Sequence, residues 1–268
     1  MRFGLTANVE VPDVLNVCRE VLESLEGEEV FLEDLIAPAF GREGHTLEEI
    51  DVDILITVGG DGTILRSLQH TNTPILGINA GVLGFLTEVP RDAIRGSLER
   101  LLAGDYLIQE RLRLKTMLEG VRYPDALNEA VIHTAHVAKI RQFRVSVDGH
   151  LALDVRADGI IMATPTGSTC YAMSVGAPIV DPSVDCLVIA PMAPFKFAAR
   201  PFVVPADSRV RVELVKPKPC VLVVDGQEEN PVEGGQSIEF TRSESPARFV
   251  NLGSNFYTKM REKLMGDR

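Results

Sequence analysis

The sequence predicts an α/β fold joined to an all-β one: an N-terminal parallel-sheet domain followed by a β-rich C-terminal domain. Three observations carry that prediction. Strand-like and helix-like stretches alternate through about the first hundred residues, the β-α-β-α order of a parallel sheet with helices on its faces. After Gly104 the helical spacing fades, and short apolar stretches recur between turn residues, as in an antiparallel β domain. The chain has 268 residues, enough for one large or two modest domains. The expected division is 1–105 for the α/β part and 106–253 for the β-rich part, with a C-terminal helix over 254–268 returning to the first domain.

Residues 2–7 form a short apolar run that suits a first strand. Val14, Leu15, Cys18, Val21, Leu22 and Leu25 then recur at helical spacing, and Pro12 and Asp13 suit the start of that helix. Val30, Phe31 and Leu32 read as a second strand, and the Pro- and Gly-containing stretch 37–44 as a loop. Residues 53–58, Asp-Ile-Leu-Ile-Thr-Val, are apolar and β-branched for the most part after Asp53, as a strand buried on both faces should be. They run into Gly59-Gly60-Asp61-Gly62-Thr63, with a helix expected over 63–70. A strand at 74–78 leads into the Gly-rich stretch 79–85, and a helix follows over 92–103. In the second half, strands are expected at 112–118, 130–134, 143–147, 151–156, 160–163, 187–190, 209–215, 221–224 and 237–240. Asp148-Gly149, Asp158-Gly159, Asp225-Gly226 and Gly234-Gly235 turn the chain between them. Residues 256–264 are helical again.

Composition narrows the function. Lys+Arg 27 against Asp+Glu 38 gives a net charge of −11, which argues against a nucleic-acid or anionic-membrane partner. It does not exclude a small anionic ligand, because helix N-termini, backbone N–H groups and a metal ion can hold phosphate. Cys18, Cys170, Cys186 and Cys220 lack metal-site spacing and read as reduced thiols. No signal-like start and no long apolar run is present, so the expectation is a soluble, cytoplasmic protein.

Four segments carry chemistry. The turn Gly59-Gly60-Asp61-Gly62-Thr63 lies between a strand and a helix, where open α/β sheets bind ligands. Gly59, Gly60, Gly62 and Thr63 make a phosphate cradle of glycine backbone and helix N-terminus. It is neither a Walker A loop nor a G-x-G-x-x-G fingerprint. An acid inside such a cradle needs a task, and Asp61 can hold Mg²⁺ or take a proton from an attacking hydroxyl; the alternative is a tight turn with a helix-capping Asp. Arg66, one helical turn on, either points at phosphate or is a solvated helix residue. The second Gly-rich stretch, 77–86, belongs to the same sheet edge and offers Phe85 as an aromatic wall. Asn128-Glu129, at the head of a strand, can bridge ribose hydroxyls or can equally be an exposed strand start. Finally, Asp158 through Tyr171 runs from an apolar strand into Thr164-Pro165-Thr166-Gly167-Ser168-Thr169-Cys170. Its crowded hydroxyls suit a polar ring such as adenine, with Tyr171 to pack on it. Ser168 or Thr169 can alternatively cap a short helix through Ser174. His133, His136 and His150 have no metal spacing.

In order and spacing, these segments resemble the hallmarks of the NAD kinase family over nearly the whole chain. Gly-Gly-Asp-Gly-Thr alone is shared with diacylglycerol and sphingosine kinases and looks like the active-site turn of phosphofructokinases. The Asn-Glu pair with Thr-Pro-Thr-Gly-Ser-Thr is far more specific. The resemblance implies a Rossmann-like N-terminal domain and an enzyme that phosphorylates the adenosine 2′-hydroxyl of NAD to give NADP. ATP or another phosphoryl donor and a divalent ion, Mg²⁺ or similar, would serve it. By the same resemblance Asp61 is the base and, with Gly62, touches NAD. Asn128 and Glu129 bind the dinucleotide, Asp158 lines the nicotinamide side, and Thr169 through Ser174 hold the substrate nucleotide. Lys139, Arg156, Ala193 and Gln227 align by spacing with further contacts. Such enzymes work as homodimers or homotetramers. Cys170 stands where the family usually has Ala, so a thiol beside the ligand is expected to bring redox or alkylation sensitivity. A lipid kinase would need an apolar acyl site, which the hydroxyl-rich turn does not supply, and a phosphofructokinase would carry more Arg. A non-catalytic NAD(P) sensor would be expected to have lost Asp61 or the glycine turn.

Overall fold

The computed structural model describes residues 1–81, 84–136, 139–195, 199–216 and 218–266. The chain divides into two compact units, Met1–Glu110 with Ala247–Arg268, and Arg111–Pro246. The α/β plus all-β class read from the sequence is the class observed.

In the first unit, β1 (Arg2–Ala7), α1 (Val14–Ser24), β2 (Glu29–Glu33), β3 (Gly44–His45), β4 (Ile54–Gly59), α2 (Asp61–Leu68), β5 (Ile75–Asn79), α3 (Ile94–Leu102) and β6 (Leu107–Arg111) follow in order. Among the described residues they form one sheet, ordered β3-β2-β1-β4-β5, then the C-terminal strand Ala247–Asn251, then β6. β1 pairs in parallel with β2 and β4, and β4 with β5. β4 is buried at every position, because helices cover a parallel sheet on both faces. The core joins Phe3, Leu5, Ile54, Ile56 and Ile78 to Val17 and Val21 of α1 and Ile94 and Leu98 of α3. The expected loop over 37–44 contains a 3₁₀ turn, Ala37–Phe40, and reaches β3 at Gly44.

The second unit contains β7 (Leu114–Leu118), β8 (Val121–Arg122), β9 (Glu129–Thr134), β10 (Arg141–Val147), β11 (His150–Ala157), β12 (Gly159–Ala163), α4 (Tyr171–Ser174), β13 (Cys186–Met192), β14 (Phe202–Pro205), β15 (Val210–Leu214), β16 (Cys220–Val224), β17 (Glu229–Val232) and β18 (Ser237–Arg242). Among the described residues its two sheets are ordered β11-β10-β15-β18-β7-β8 and β14-β13-β12-β9-β16-β17. Alternation sorts the side chains by face. Ile132, Ile160, Met162 and Ile189 join Phe143, Val212 and Phe240 of the other sheet in one core. Val131, Ile161, Ala163 and Val188 point the opposite way and pack with Ala172 of α4. The central strands are therefore apolar on both faces. None of the four cysteines forms a disulfide, and no helix among the described residues is long and apolar enough to cross a membrane.

Candidate active site

The strand β4 ends at Gly59 beside Asn79, the end of β5, and the Ala80 N–H donates to the Gly59 carbonyl at 3.1 Å. Both glycine-rich segments thus leave the sheet from one edge. The three glycines of the first turn have different reasons to be there. A Cβ on Gly59 would lie 2.2 Å from Thr63 Oγ1, whereas one on Gly60 or Gly62 would meet open space. Gly59 is a packing requirement; Gly60 and Gly62 leave the helix N-terminus unscreened, where N–H groups lack intrahelical partners. The helix starts at Asp61 rather than at Thr63, so Asp61 stands in the first turn, where the helix dipole favours a carboxylate.

The Asp61 carboxylate is gripped by the second glycine-rich stretch. Its Oδ2 accepts the Phe85 N–H at 2.8 Å and its Oδ1 accepts the Leu86 N–H at 3.0 Å. Gly84 makes that approach possible, since a Cβ there would sit 1.9 Å from Asp61 Oδ1. A carboxylate has about four lone-pair sites. Two N–H bonds fix its direction and leave each oxygen able to accept a further proton. The half-buried Phe85 ring carries Lys263 Nζ at 4.6 Å from its centroid. Val82 and Leu83 of this stretch lie outside the described residues.

Arg66, read as either a phosphate ligand or a solvated residue, is ion-paired. Its guanidinium forks onto Glu33 at 2.6 and 2.8 Å and donates to Thr6 Oγ1 at 2.8 Å. Glu33 is 5% exposed, so its carboxylate neutralises a cation at the sheet edge. Arg66 still lines, with Asn8, Gly62 and Thr63, a cavity of about 320 Å³.

In the second unit, three strand ends converge. Glu129 stands opposite Ala163 of β12, and Ala130 opposite Val224 of β16. The turn after β16 has Asp225 at φ 48° and Gly226 at φ 68°, the pairing of a tight hairpin turn. Asp225 carboxylate oxygens accept the N–H groups of Leu127, Asn128 and Glu129 at 2.7, 2.8 and 3.1 Å. From sequence Asp225 is a turn residue only, because an Asp-Gly pair carries no local sign of a partner so far along the chain. Asn128 and Glu129 are 6% and 9% exposed, and Asn128 Oδ1 and Glu129 Oε2 have no hydrogen-bond partner among the described residues. Burial first, then the nearby Asp225, push the Glu129 carboxyl up to about 8, against the Tyr171 backbone N–H. Burial also raises Asp225 to about 6, against its three N–H bonds and Arg113. Glu129 thus holds its proton at neutral pH and can both donate to and accept from ligand hydroxyls.

The hydroxyl-rich turn is tied to neighbouring backbone. Thr164 N–H donates to the Asn128 carbonyl at 2.9 Å, and Thr164 Oγ1 to the Leu127 carbonyl. Ser168 Oγ donates to the Pro165 carbonyl at 2.7 Å and accepts the Val180 N–H at 2.9 Å. Thr169 Oγ1 donates to the Thr166 carbonyl at 3.3 Å. All three side chains are buried; their hydroxyls bond to the backbone of the turn and its neighbours, and they cap no helix. Gly167 lets the turn lie on Asn128, whose carbonyl a Cβ would approach to 2.1 Å. The turn presents Cys170, half-buried, and Tyr171 and Ser174, both exposed, with Ser174 Oγ bonded to the Tyr171 carbonyl at 2.7 Å.

The remaining candidates fall into two groups. Gln227 joins the Glu129 end, its side chain donating to the Asp225 carbonyl at 3.2 Å. Asp158 lies at the far end of β12, bonded through its backbone to Thr134 and Met192. The five residues of β12, at roughly 3.4 Å each, separate the two ends by about 17 Å. Arg156 and Ala193 share Asp158's end. The Arg156 guanidinium lies 5.4 Å from the Phe195 ring centroid, and Ala193 has φ 42°. Lys139 is exposed, its carbonyl accepting from Arg141 at 2.6 Å. No group of three or more His, Cys, Asp or Glu side chains suited to hold a metal occurs among the described residues.

Comparison with known proteins extends the geometry. Residues 23–106 match the family model described as ATP-NAD kinase N-terminal domain, and residues 127–252 that described as ATP-NAD kinase C-terminal domain. The chain is 39% identical to an NAD kinase of Thermoplasma volcanium, covering 99% of this chain and 98% of the relative. It is 42% identical to one of Thermococcus kodakarensis, covering 98% and 99%. Among solved structures, an NAD kinase from Archaeoglobus fulgidus in complex with ATP superposes with a TM-score of 0.80 at 30% identity, covering 97% of this chain and 99% of that one. Yeast NADH kinase complexed with NADH shares the fold with a TM-score of 0.92 at 23% identity, covering 100% and 88%.

Proposed function

The chain belongs to the NAD kinase family, and from that membership we propose that it transfers a phosphoryl group from ATP to the adenosine 2′-hydroxyl of NAD, giving NADP, with Asp61 as the base. A ribose hydroxyl is a weak nucleophile, and its proton must leave as the bond to phosphorus forms. In a loose transition state the proton moves late, so positioning matters as much as basicity. The observation that carries the reading is the Asp61 carboxylate held by two backbone N–H groups at the open edge of the parallel sheet. Gly60, Gly62 and the first turn of α2 receive phosphate oxygens, and Arg66 lines the adjoining cavity with its charge balanced by Glu33. Asn128 and Glu129 take ligand hydroxyls with the two buried oxygens that have no partner among the described residues. Cys170, Tyr171, Ser174 and Gln227 line the same end of the second unit, and Lys139, Arg156, Asp158 and Ala193 supply further contacts.

A divalent ion, Mg²⁺ or similar, would be held together with the donor's phosphates. Such an ion commonly uses one or two carboxylates plus substrate phosphates instead of an all-protein cage, and Glu10 lines the cavity beside the phosphate turn with Gly62 and Thr63. When bound, it neutralises charge on the triphosphate. The protein acts in the cytoplasm as a homodimer or homotetramer, which light scattering on the purified chain tests; a monomer at working concentration would refute the assembly.

The decisive assay supplies NAD, ATP and Mg²⁺ and reads NADP through a coupled dehydrogenase. Asp61→Asn should lose roughly 10²–10⁴-fold in kcat, the range for a lost general base, while still binding both nucleotides. Near-normal turnover in that variant removes Asp61 as the base. Undiminished turnover in excess chelator removes the ion.

A further inference from the structure

Two N–H groups hold Asp61, and something must hold them. Phe85 and Leu86 belong to a stretch whose backbone is next tied down at Glu88 and Val89, both donating to the Gly77 carbonyl of β5 at 2.8 and 3.0 Å. Beside it lies a cavity of about 320 Å³, lined among others by Asn79, Thr87, Glu88, Thr258 and Lys259. Leu86 and Thr87 are buried, at 5% and 3% exposure, and polar contacts from the C-terminal segment hold the stretch as well. Glu88, whose side chain is 8% exposed, accepts the Leu252 N–H at 2.7 Å, the Ser254 N–H at 3.2 Å and the Ser254 hydroxyl. Lys259 Nζ, on a side chain 13% exposed, donates to the Thr87 carbonyl at 2.8 Å and to Glu88 Oε2 at 3.3 Å. Lys263 covers the Phe85 ring. The C-terminal segment therefore grips the residues on either side of Leu86.

We propose that Glu88 and Lys259 are positioning residues for phosphoryl transfer: they clamp 85–88 so that the Phe85 and Leu86 N–H groups present the Asp61 carboxylate in one orientation. The proposal rests on the reading of Asp61 as base. Charge and geometry both support the assignment. Lys259 neutralises the buried Glu88 carboxylate, and its second bond goes to the residue next to Leu86. A carboxylate that swings freely spends less time in line with its target hydroxyl, so loosening the clamp lowers the rate of the chemical step and leaves nucleotide binding almost unchanged.

Lys259→Met removes the ammonium and keeps the stem, Glu88→Gln removes the charge, and Lys259→Arg keeps a cationic donor. In the full chain, Lys259→Met and Glu88→Gln should lose roughly tenfold to a hundredfold in kcat, with KM for both nucleotides within about twofold. Lys259→Arg should recover most of the rate. Amide hydrogen exchange at Phe85 and Leu86 should quicken by roughly tenfold in the first two variants, while amides in β1 and β4 stay protected. Thermal melts show which variants fold; if Lys259→Met does not, Lys259→Gln replaces it. Wild-type kcat in the Lys259 and Glu88 variants, or unchanged exchange at Phe85 and Leu86, overturns the clamp while Asp61→Asn remains inactive. An active Asp61→Asn enzyme overturns the base assignment, and the exchange rates then still report whether the clamp holds the stretch.

Discussion

Glu129 and Asp225 share one buried corner, and two acids so placed do not both ionise without cost. The folded chain keeps a proton on Glu129 between pH 4.5 and about 8 that the unfolded chain releases. The folded state then binds more protons than the unfolded one, so unfolding free energy falls as pH rises through that window and levels off above it. Asp225 acts in the same direction between 3.8 and about 6. Urea denaturation followed from pH 5.5 to pH 9 should show this decline, amounting to a few kcal/mol at about 1.4 kcal/mol per pKa unit. Glu129→Gln should flatten the part above pH 6. An undiminished decline in that variant would show that Glu129 is ionised in the folded chain at pH 7. The pair Asn128-Glu129 was legible in the sequence because polar residues at the head of an apolar strand stand out. Asp225 was not, because its role is created by β9 and β16 meeting, 97 residues apart between Asn128 and Asp225. The hydroxyls of Ser168 and Thr169 were visible, but their direction was not, since short polar side chains readily bond to their own turn.

The two glycine-dependent turns make separate demands on the elements that carry them. At Gly84 an added methyl would meet the Asp61 carboxylate, and the flexible partner there is the proposed base. Gly84→Ala should therefore fold with a nearly normal melting temperature and lose roughly a hundredfold in kcat. A Gly84→Ala enzyme with full activity would mean that the grip of Phe85 and Leu86 on Asp61 is dispensable. At Gly167 the methyl would meet backbone, the Asn128 carbonyl at 2.1 Å, which cannot swing away. Gly167→Ala should cost about 1–3 kcal/mol of stability, the usual range for overpacking, read as a lower denaturation midpoint. The elements themselves were legible where burial imposes a pattern. Fully buried β4 and alternating β10 and β15 are legible within a residue or two. The strands missed include β8, β14 and β17, which end their sheets. Pro205 and Pro231 lie in the last two. Edge strands tolerate proline and need not alternate, so the signal that identifies a central strand is weak there.

The path of the whole chain sets what the C-terminal residues must do. After β18 the chain rejoins the parallel sheet as Ala247–Asn251, placed between β5 and β6 and not at an edge. Ala247, Phe249, Val250 and Leu252 are buried there, at 0%, 5%, 2% and 9% exposure. Periodicity revealed the helix beyond this strand, but the strand itself is short and follows Pro246, so its central position appears only in the fold. Ending the chain at Pro246 would withdraw three large apolar side chains worth about 1.5–3 kcal/mol each, roughly 5–9 kcal/mol against a typical total of about 5–15 kcal/mol. It would also expose the strand edges of β5 and β6. That truncated chain should lose the cooperative melting of its α/β unit or aggregate. Ending it at Gly253 keeps the strand and the Leu252 bond to Glu88 but removes Ser254 and Lys259. The longer product should melt cooperatively and turn over slowly, because its sheet is complete and its grip on 85–88 is not. If both truncations behaved alike in calorimetry, the sheet would not depend on its returning strand.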